Sequence, residues 1–366
     1  MTKTKIGSLE AIMLVLTIVI SHSSLALPND VLTNYHSASI INIIYVSIFA
    51  LLLVLLIVRL FKKFPGMDII DISEYAGGKI LKNLIGVVFI TYFIVSSGFI
   101  LRIFCESIKI IYYPMTNITF LIALFVIAVC IANSLNFNAT IKANKIILPF
   151  ALISIIFIFI TNMSNFVPQR IFPILGNGFF KTFLLGLSNI ASFDGIVFLY
   201  FLPPLLKNPA DFKKISIIST IITSIYLIFT IATLLLVFSL FTKIHQISPL
   251  YNASRYIEFG TFFQRLESIF LLIWIMVFAS YLSITLKFST YIFQKITLLT
   301  DTKILIPVLG LLLFGIALLP NNLAISQYYE SHIYPILMLG ISIFLSLSIL
   351  IFANIFKKGV NFKKWI

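Results

Sequence analysis

Charge is what this sequence has least of. Only 10% of its 366 residues are charged, 12 of them acidic and 26 lysine or arginine, while 60% are hydrophobic and the mean hydropathy is +1.10. Soluble domains carry about 25% charged residues. A sizeable soluble domain is therefore excluded. Cysteine is nearly absent too: Cys105 and Cys130 lie in apolar runs at a spacing that matches no metal or redox motif, and both read as small buried side chains. The chain lacks a phosphate-cradling glycine loop, a nucleophile–base pair and a metal-ligand set, so neither an enzyme nor a bound cofactor is expected. It also lacks a glycine/serine linker, a low-complexity tract or a charge block that would mark a second domain.

Apolar runs fill the space that charge leaves. They recur along the whole length, each of about 20 residues, enough to cross a hydrocarbon core of roughly 30 Å as a helix. Spans are expected at 9–34, 39–60, 83–111, 118–133, 145–163, 183–206, 215–241, 266–287, 303–320 and 333–356, ten helices in one polytopic membrane domain covering 1–366. Breaker-rich joints separate them, such as "KKFPGMD" (Lys62 to Asp68), "VPQRIFPILGNG" (Val167 to Gly178) and "LKNPADFKK" (Leu206 to Lys214).

The basic residues set the orientation. With the N-terminus in the cytoplasm, 19 of the 26 lysines and arginines fall on the inner side, among them Lys3, Lys5, Lys62, Lys63, Lys207, Lys213, Lys214, Lys295 and Lys357. Arg102, Lys109, Arg170, Lys181, Lys243, Arg255 and Arg265 remain on or near the other side. That bias follows the positive-inside rule and makes both termini cytoplasmic. The net charge of +14 reads as topology and contact with anionic lipid, not as a nucleic-acid footprint.

The first span carries an interruption. In "ISHSSLALPND" (Ile20 to Asp30), four small or polar residues, Ser21, His22, Ser23 and Ser24, cut an apolar run short. One reading is a secretion signal with Lys3 and Lys5 as its basic head and a cleavage site near "SSLA". Against it stand Glu10 at the start of the run and a second interruption half a chain later, "SNIASFDG" (Ser188 to Gly195), inside the sixth span. Interrupted helices at matching positions of two five-helix halves, about 9–163 and 183–356, point to an inverted-repeat transporter fold with a binding site at the membrane midplane. Serine and glycine at the two breaks also serve close helix packing, and that reading stays open.

Asp194 lies near the middle of its span. A carboxylate there costs about 2.5–3.5 kcal/mol on insertion scales, so it should face a cavity or have a partner. Its functional reading is a contact for a substrate ammonium, a cation or a proton; the structural one is pairing with a buried hydroxyl or backbone group. His22 is a candidate partner. Arg102 and Glu106 are four apart on one helix face and can pair. Arg265 and Glu267 are two apart, cannot face each other, and are expected to reach different neighbours such as Glu258 or Arg102. The stretch "PLYNASRYIEFGTFF" (Pro249 to Phe263) mixes charged and aromatic residues as an interfacial helix does, in position to act as a lid.

At these residues the chain resembles a family. The first helix ending "LALP", the third-helix pattern "LRIFCESIKIIYYPMTNITFL", the sixth-helix "FDGIVFLYFLPPL" and above all "SRYIEFGTFFQRLESIFLLIWI" are similar to the B subunits of spore germinant receptors, the GerAB-type spore permeases. The resemblance implies an all-α, ten-helix LeuT-like protein of the amino acid/polyamine/organocation superfamily in the inner membrane of the dormant spore. It implies binding of a small nutrient germinant, an amino acid, sugar or nucleoside, and action with an A subunit and a lipoprotein C subunit. Carried over by motif, the ligand site is lined by Ser21, His22, Ser23, Ser24 and Leu25 of the first helix and by Ala191, Ser192, Phe193, Asp194 and Gly195 of the sixth, with Ser96, Ser97 and Gly98 of the third as further candidates. Arg265 and Glu267 carry over as the family's structural or coupling pair, beside Arg102 and Glu106, whose spacing already reads as structural. The family often has glycine where this chain has His22, and glutamate near Asp194; both differences fall where ligand identity is set. A plain amino acid or amine transporter and a cation-conducting subunit are the competing readings of the same fold.

Overall fold

The computed structural model describes residues 5–23, 27–134, 137–238, 248–257, 267–299 and 303–356. Among these residues every regular element is helical. In chain order they are α1 (Ser8–Ser23), α2 (Leu27–Tyr35), α3 (Ser39–Phe61), α4 (Ile69–Tyr112), α5 (Ile118–Ser134) and α6 (Phe137–Thr161). A broken segment follows: one π turn (Phe180–Leu184), a 3₁₀ stretch (Leu185–Phe193), the single turn α7 (Ile196–Leu199) and a 3₁₀ turn (Pro203–Leu205). Then come α8 (Phe212–Val237), α9 (Pro249–Arg255), α10 (Glu267–Thr297) and α11 (Leu305–Leu318). The last rod, Leu323–Ile355, strings together α12 (Leu323–Tyr328), α13 (Tyr334–Leu337) and α14 (Ser346–Phe356) through π-helical stretches.

Among the described residues, six helices are long and apolar enough to cross a membrane, and Ser8–His22, Ile118–Ser134 and Leu305–Leu318 are shorter apolar helices. Their outer faces carry Ile48, Leu52, Ile127, Ile131, Ile153, Leu311 and Phe344, all exposed. On a soluble protein such a belt would be an aggregation liability. Here it is the lipid-facing surface of an integral membrane protein. Hydroxyls inside the belt bond back to the helix turn before them, as Ser47 does to Ile43 O and Ser289 to Thr285 O, which keeps them satisfied without water.

The elements depart from the expected spans in instructive ways. The third span begins at Ile69 rather than 83, because Asp68 caps α4 by accepting from the amides of Ile70 and Asp71; Gly77 and Gly78 then break the helix before the apolar run. Gly78 has φ +70°, a conformation glycine adopts without steric cost. The eighth span runs on past Lys287 to Thr297, and the Lys287 ammonium donates to Asn133 O at 3.3 Å. The tenth begins at Leu323 rather than 333, which brings Glu330 into the membrane rod. Pro335 has no amide to give to the turn before it, and a π turn precedes it.

One end of the molecule is stitched together by contacts between distant segments. Ile6 N donates to Leu205 O at 2.8 Å and Lys207 N to Ile6 O at 3.0 Å, so the start of α1 lies beside the end of the broken segment. Ile69 N donates to Tyr200 O at 3.0 Å. Lys295 of α10 binds the Asp68 carboxylate at 2.6 Å and that of Asp71 at 2.5 Å, and Tyr291 OH donates to Asp68 at 2.6 Å. This end also carries Lys62, Lys63, Lys213 and Lys214. At the centre, α1 is surrounded by α6, α8, α10 and the broken segment.

Candidate ligand-binding site

Two interrupted elements meet at mid-height. His22 sits in the last turn of α1, and Asp194 ends the 3₁₀ stretch of the broken segment. His22 Nε2 lies 3.2 Å from Asp194 Oδ2, with both side chains 1% exposed. Tyr334 of the last rod donates to the same Oδ2 at 2.7 Å, and its ring stacks on His22 with centroids 4.8 Å apart. Tyr281 OH of α10 is 3.2 Å from His22 Nε2, and Tyr92 OH of α4 is 3.4 Å from Tyr334 OH. Four side chains from four other elements thus cluster at Asp194, and two of them, His22 and Tyr334, touch its Oδ2. Asp194 Oδ1 and His22 Nδ1 are buried and have no hydrogen-bond partner among the described residues.

The backbone around Asp194 is tightened rather than unwound. Val197 N donates to Asp194 O and Phe198 N to Gly195 O, the i to i+3 pattern of a 3₁₀ helix, and Asp194 keeps helical angles (φ −58°, ψ −22°). Gly195 permits the close approach of α1: a Cβ there would lie 2.8 Å from Val15 O.

Above this cluster, away from the stitched end, a cavity of about 290 Å³ opens. Its walls are His22, Ala191, Ser192 and Tyr334 at depth, and its mouth carries Asp30, Asn34, Ser188 and Asn189. Glu330 lines it as well, and it is 4% exposed. Asn42 of α3 holds the broken segment in place, accepting from Asn189 at 2.6 Å and donating to Thr182 O at 2.8 Å. A pocket that mixes one apolar wall with a few convergent polar groups suits a small polar ligand.

The sequence matches the profile of the spore germination protein family across residues 5–325. The chain belongs to that family. It is also similar to the Spore germination protein YndE of Bacillus subtilis (strain 168), 24% identical over 283 residues, which are 76% of this chain and 78% of that protein. This member of the spore germination protein family is accordingly a multi-pass membrane protein of permease type. Glu330 and Tyr334 lie beyond the matched stretch.

In this family member the expected site residues fall into distinct places. His22, Ala191 and Ser192 line the cavity, and Asp194 lies just beneath it against His22 and Tyr334. Ser21 is buried and donates to Thr17 O, and Phe193 is buried at 1% exposure. Ser24 and Leu25 lie outside the described residues, as does the side chain of Ser23. Ser96 and Ser97 stand one layer behind the cavity, beside Tyr281, with Ser97 donating to Thr285 at 2.8 Å. Gly98 faces α11, where a Cβ would lie 2.5 Å from Ile316.

The charged pairs divide likewise. Arg102 binds Glu106 at 2.9 Å and donates to Asn321 O at 3.3 Å. Among the described residues its partners are therefore on its own helix and the turn before the last rod, not Glu267. Arg265 and Glu258 lie outside the described residues, and Glu267 begins α10. Of the lid stretch, α9 is described; Tyr251 OH is 3.3 Å from Tyr112 OH, and Asn162 donates to Ala253 O at 3.2 Å. Glu330 falls outside the last span expected from the sequence, which begins at 333. Its signal was the polar interruption "YYESH" (Tyr328 to His332) within a helical run.

Proposed function

We propose that this chain is the nutrient-sensing membrane subunit of a spore germination receptor, binding a small germinant in the cavity between the two interrupted elements and signalling to A and C partner subunits in the spore inner membrane. The observation that carries the proposal is the 290 Å³ cavity whose floor is the Asp194–His22–Tyr334 cluster. The ten-helix LeuT-like arrangement, with repeats at about 9–163 and 183–356, belongs to the same proposal. Support comes from α1 and the broken segment lying side by side in opposite directions, joined where one starts and the other ends. With the basic end in the cytoplasm, the cavity opens outward and the inner side is closed.

A ligand that fits this shape better than an inward-open one shifts the equilibrium by its difference in affinity. In a sensor that shift is read by partner subunits. A second reading, a secondary amino acid or amine transporter working by alternating access, rests on the same closed inner end.

Reconstituted protein decides between them, using labelled amino acids, sugars and nucleosides with and without an imposed ion gradient. Saturable binding without concentrative uptake, weakened about tenfold or more in Asp194→Asn, is expected. Uptake above equilibrium would establish the transporter instead.

A further inference from the structure

Resting on that cavity as the ligand site but going beyond it, we propose that it selects an organic ammonium ion carrying no carboxylate of its own, held between Glu330, Asp30 and the Asp194–His22 pair. Among the described residues the lining includes no lysine or arginine, its basic side chains being the imidazoles of His22 and His332, while Asp30 and Glu330 both line the space and Asp194 lies beneath it. Glu330 is within electrostatic reach of both aspartates. Both of its carboxylate oxygens are buried and have no hydrogen-bond partner among the described residues. A carboxylate taken out of water without a partner is costly, and a cation entering from the open side is its natural counter-ion. His22 Nε2 already faces Asp194 and Tyr281, so that nitrogen is engaged there and not with the other two carboxylates.

The remaining features select among cations. Among the described residues, no three His, Cys, Asp or Glu side chains form a metal-ligating group. Tyr35 and Tyr334 line the cavity and give it an aromatic wall for the alkyl part of such an ion. Asn34, Ser188 and Asn189 at the mouth supply acceptors for the N–H groups that the carboxylates leave over. A zwitterionic amino acid would bring its own carboxylate against Asp30 and Glu330, with no lysine or arginine among the described lining residues to relieve it and with His332 engaged by Ser331 and Tyr328. The volume is at the small end for ligand pockets, which fits a single short amine.

Four molecules of matched shape test this: isoamylamine, isoamyl alcohol, isovalerate and leucine, titrated by calorimetry into the full chain in lipid nanodiscs. Isoamylamine is expected to bind and the other three to bind about tenfold or more weakly. Glu330→Gln should abolish that preference, Glu330→Asp should retain most of it, and Asp30→Asn should weaken the amine less than Glu330→Gln does. Size-exclusion elution of each variant shows that it is folded. Equal or better binding of leucine, of the alcohol or of isovalerate overturns the proposal, as does an amine affinity unchanged in folded Glu330→Gln, or no amine binding. Leucine bound and lost in Asp194→Asn would overturn the ammonium class while leaving the sensor reading standing. Amine bound, with spores carrying cavity variants that germinate as before, would overturn the sensor reading and keep the amine site.

Discussion

Asp194 shows how a carboxylate is kept at membrane depth. Its Oδ2 is held by the Tyr334 hydroxyl and by His22, and its Oδ1 is left free beneath the cavity. A hydrogen bond to a charged group is worth about 1.5–3 kcal/mol. Tyr334→Phe should therefore lower stability by about 1–3 kcal/mol, measured as a fall in the thermal midpoint in detergent. Tyr281→Phe, which removes a 3.2 Å contact to the histidine rather than to the carboxylate, should cost less. Equal losses from the two would mean that His22, not Asp194, is the centre of the cluster.

The broken segment places these groups by being tight, not by being loose. Around the single turn α7 its backbone carries i to i+3 bonds, such as Val197 N to Asp194 O and Phe201 N to Phe198 O, and Gly195 lies against the backbone of α1. Any side chain there meets Val15 O, a backbone atom that cannot rotate away. Gly195→Ala is expected to destabilise by about 1–3 kcal/mol through overpacking. Chemical denaturation in detergent measures it, and an unchanged midpoint would show that α1 moves aside freely. Serine-rich breaks allow either packing or binding when read from the chain, and here the two roles divide by residue: Gly195 packs, while Ala191 and Ser192 face the cavity.

Across the whole molecule, the described residues tie the basic end together, and the site cavity lies toward the other end. The tie is made by the backbone pairing of Ile6 with Leu205 and Lys207, and by the Lys295–Asp68–Tyr291 cluster, where Asp68 is fully buried. Removing one partner of a buried ion pair costs about 3–5 kcal/mol, because the other charge is stranded. Lys295→Ala leaves Asp68 and Asp71 facing each other. It should shift the population toward states open at the basic end, read as faster thiol labelling of a cysteine introduced at Pro204. Labelling no faster than in the parent would place the gate elsewhere.

Much of this was legible in the order of residues, for plain reasons. Scarce charge and long apolar runs mean membrane helices whatever their arrangement, and a lone aspartate in an apolar run demands a partner or a cavity. The interruptions at Ser21 to Ser24 and at Ser188 to Gly195 mark where helices stop being regular, because small and polar residues cannot fill a lipid-facing helix. Helix packing had to supply the rest. Glu330 joins the cavity because Leu323–Ile355 continues as one rod through π turns, which the polar "YYESH" hides from a hydropathy reading. Ser96 and Ser97 lie behind Tyr281, and Gly98 turns to α11, because the rotation of α4 is set by its contacts with α10 and α11. Spacing along one helix fixes which residues share a face; which face meets the ligand depends on neighbours that are distant in the chain.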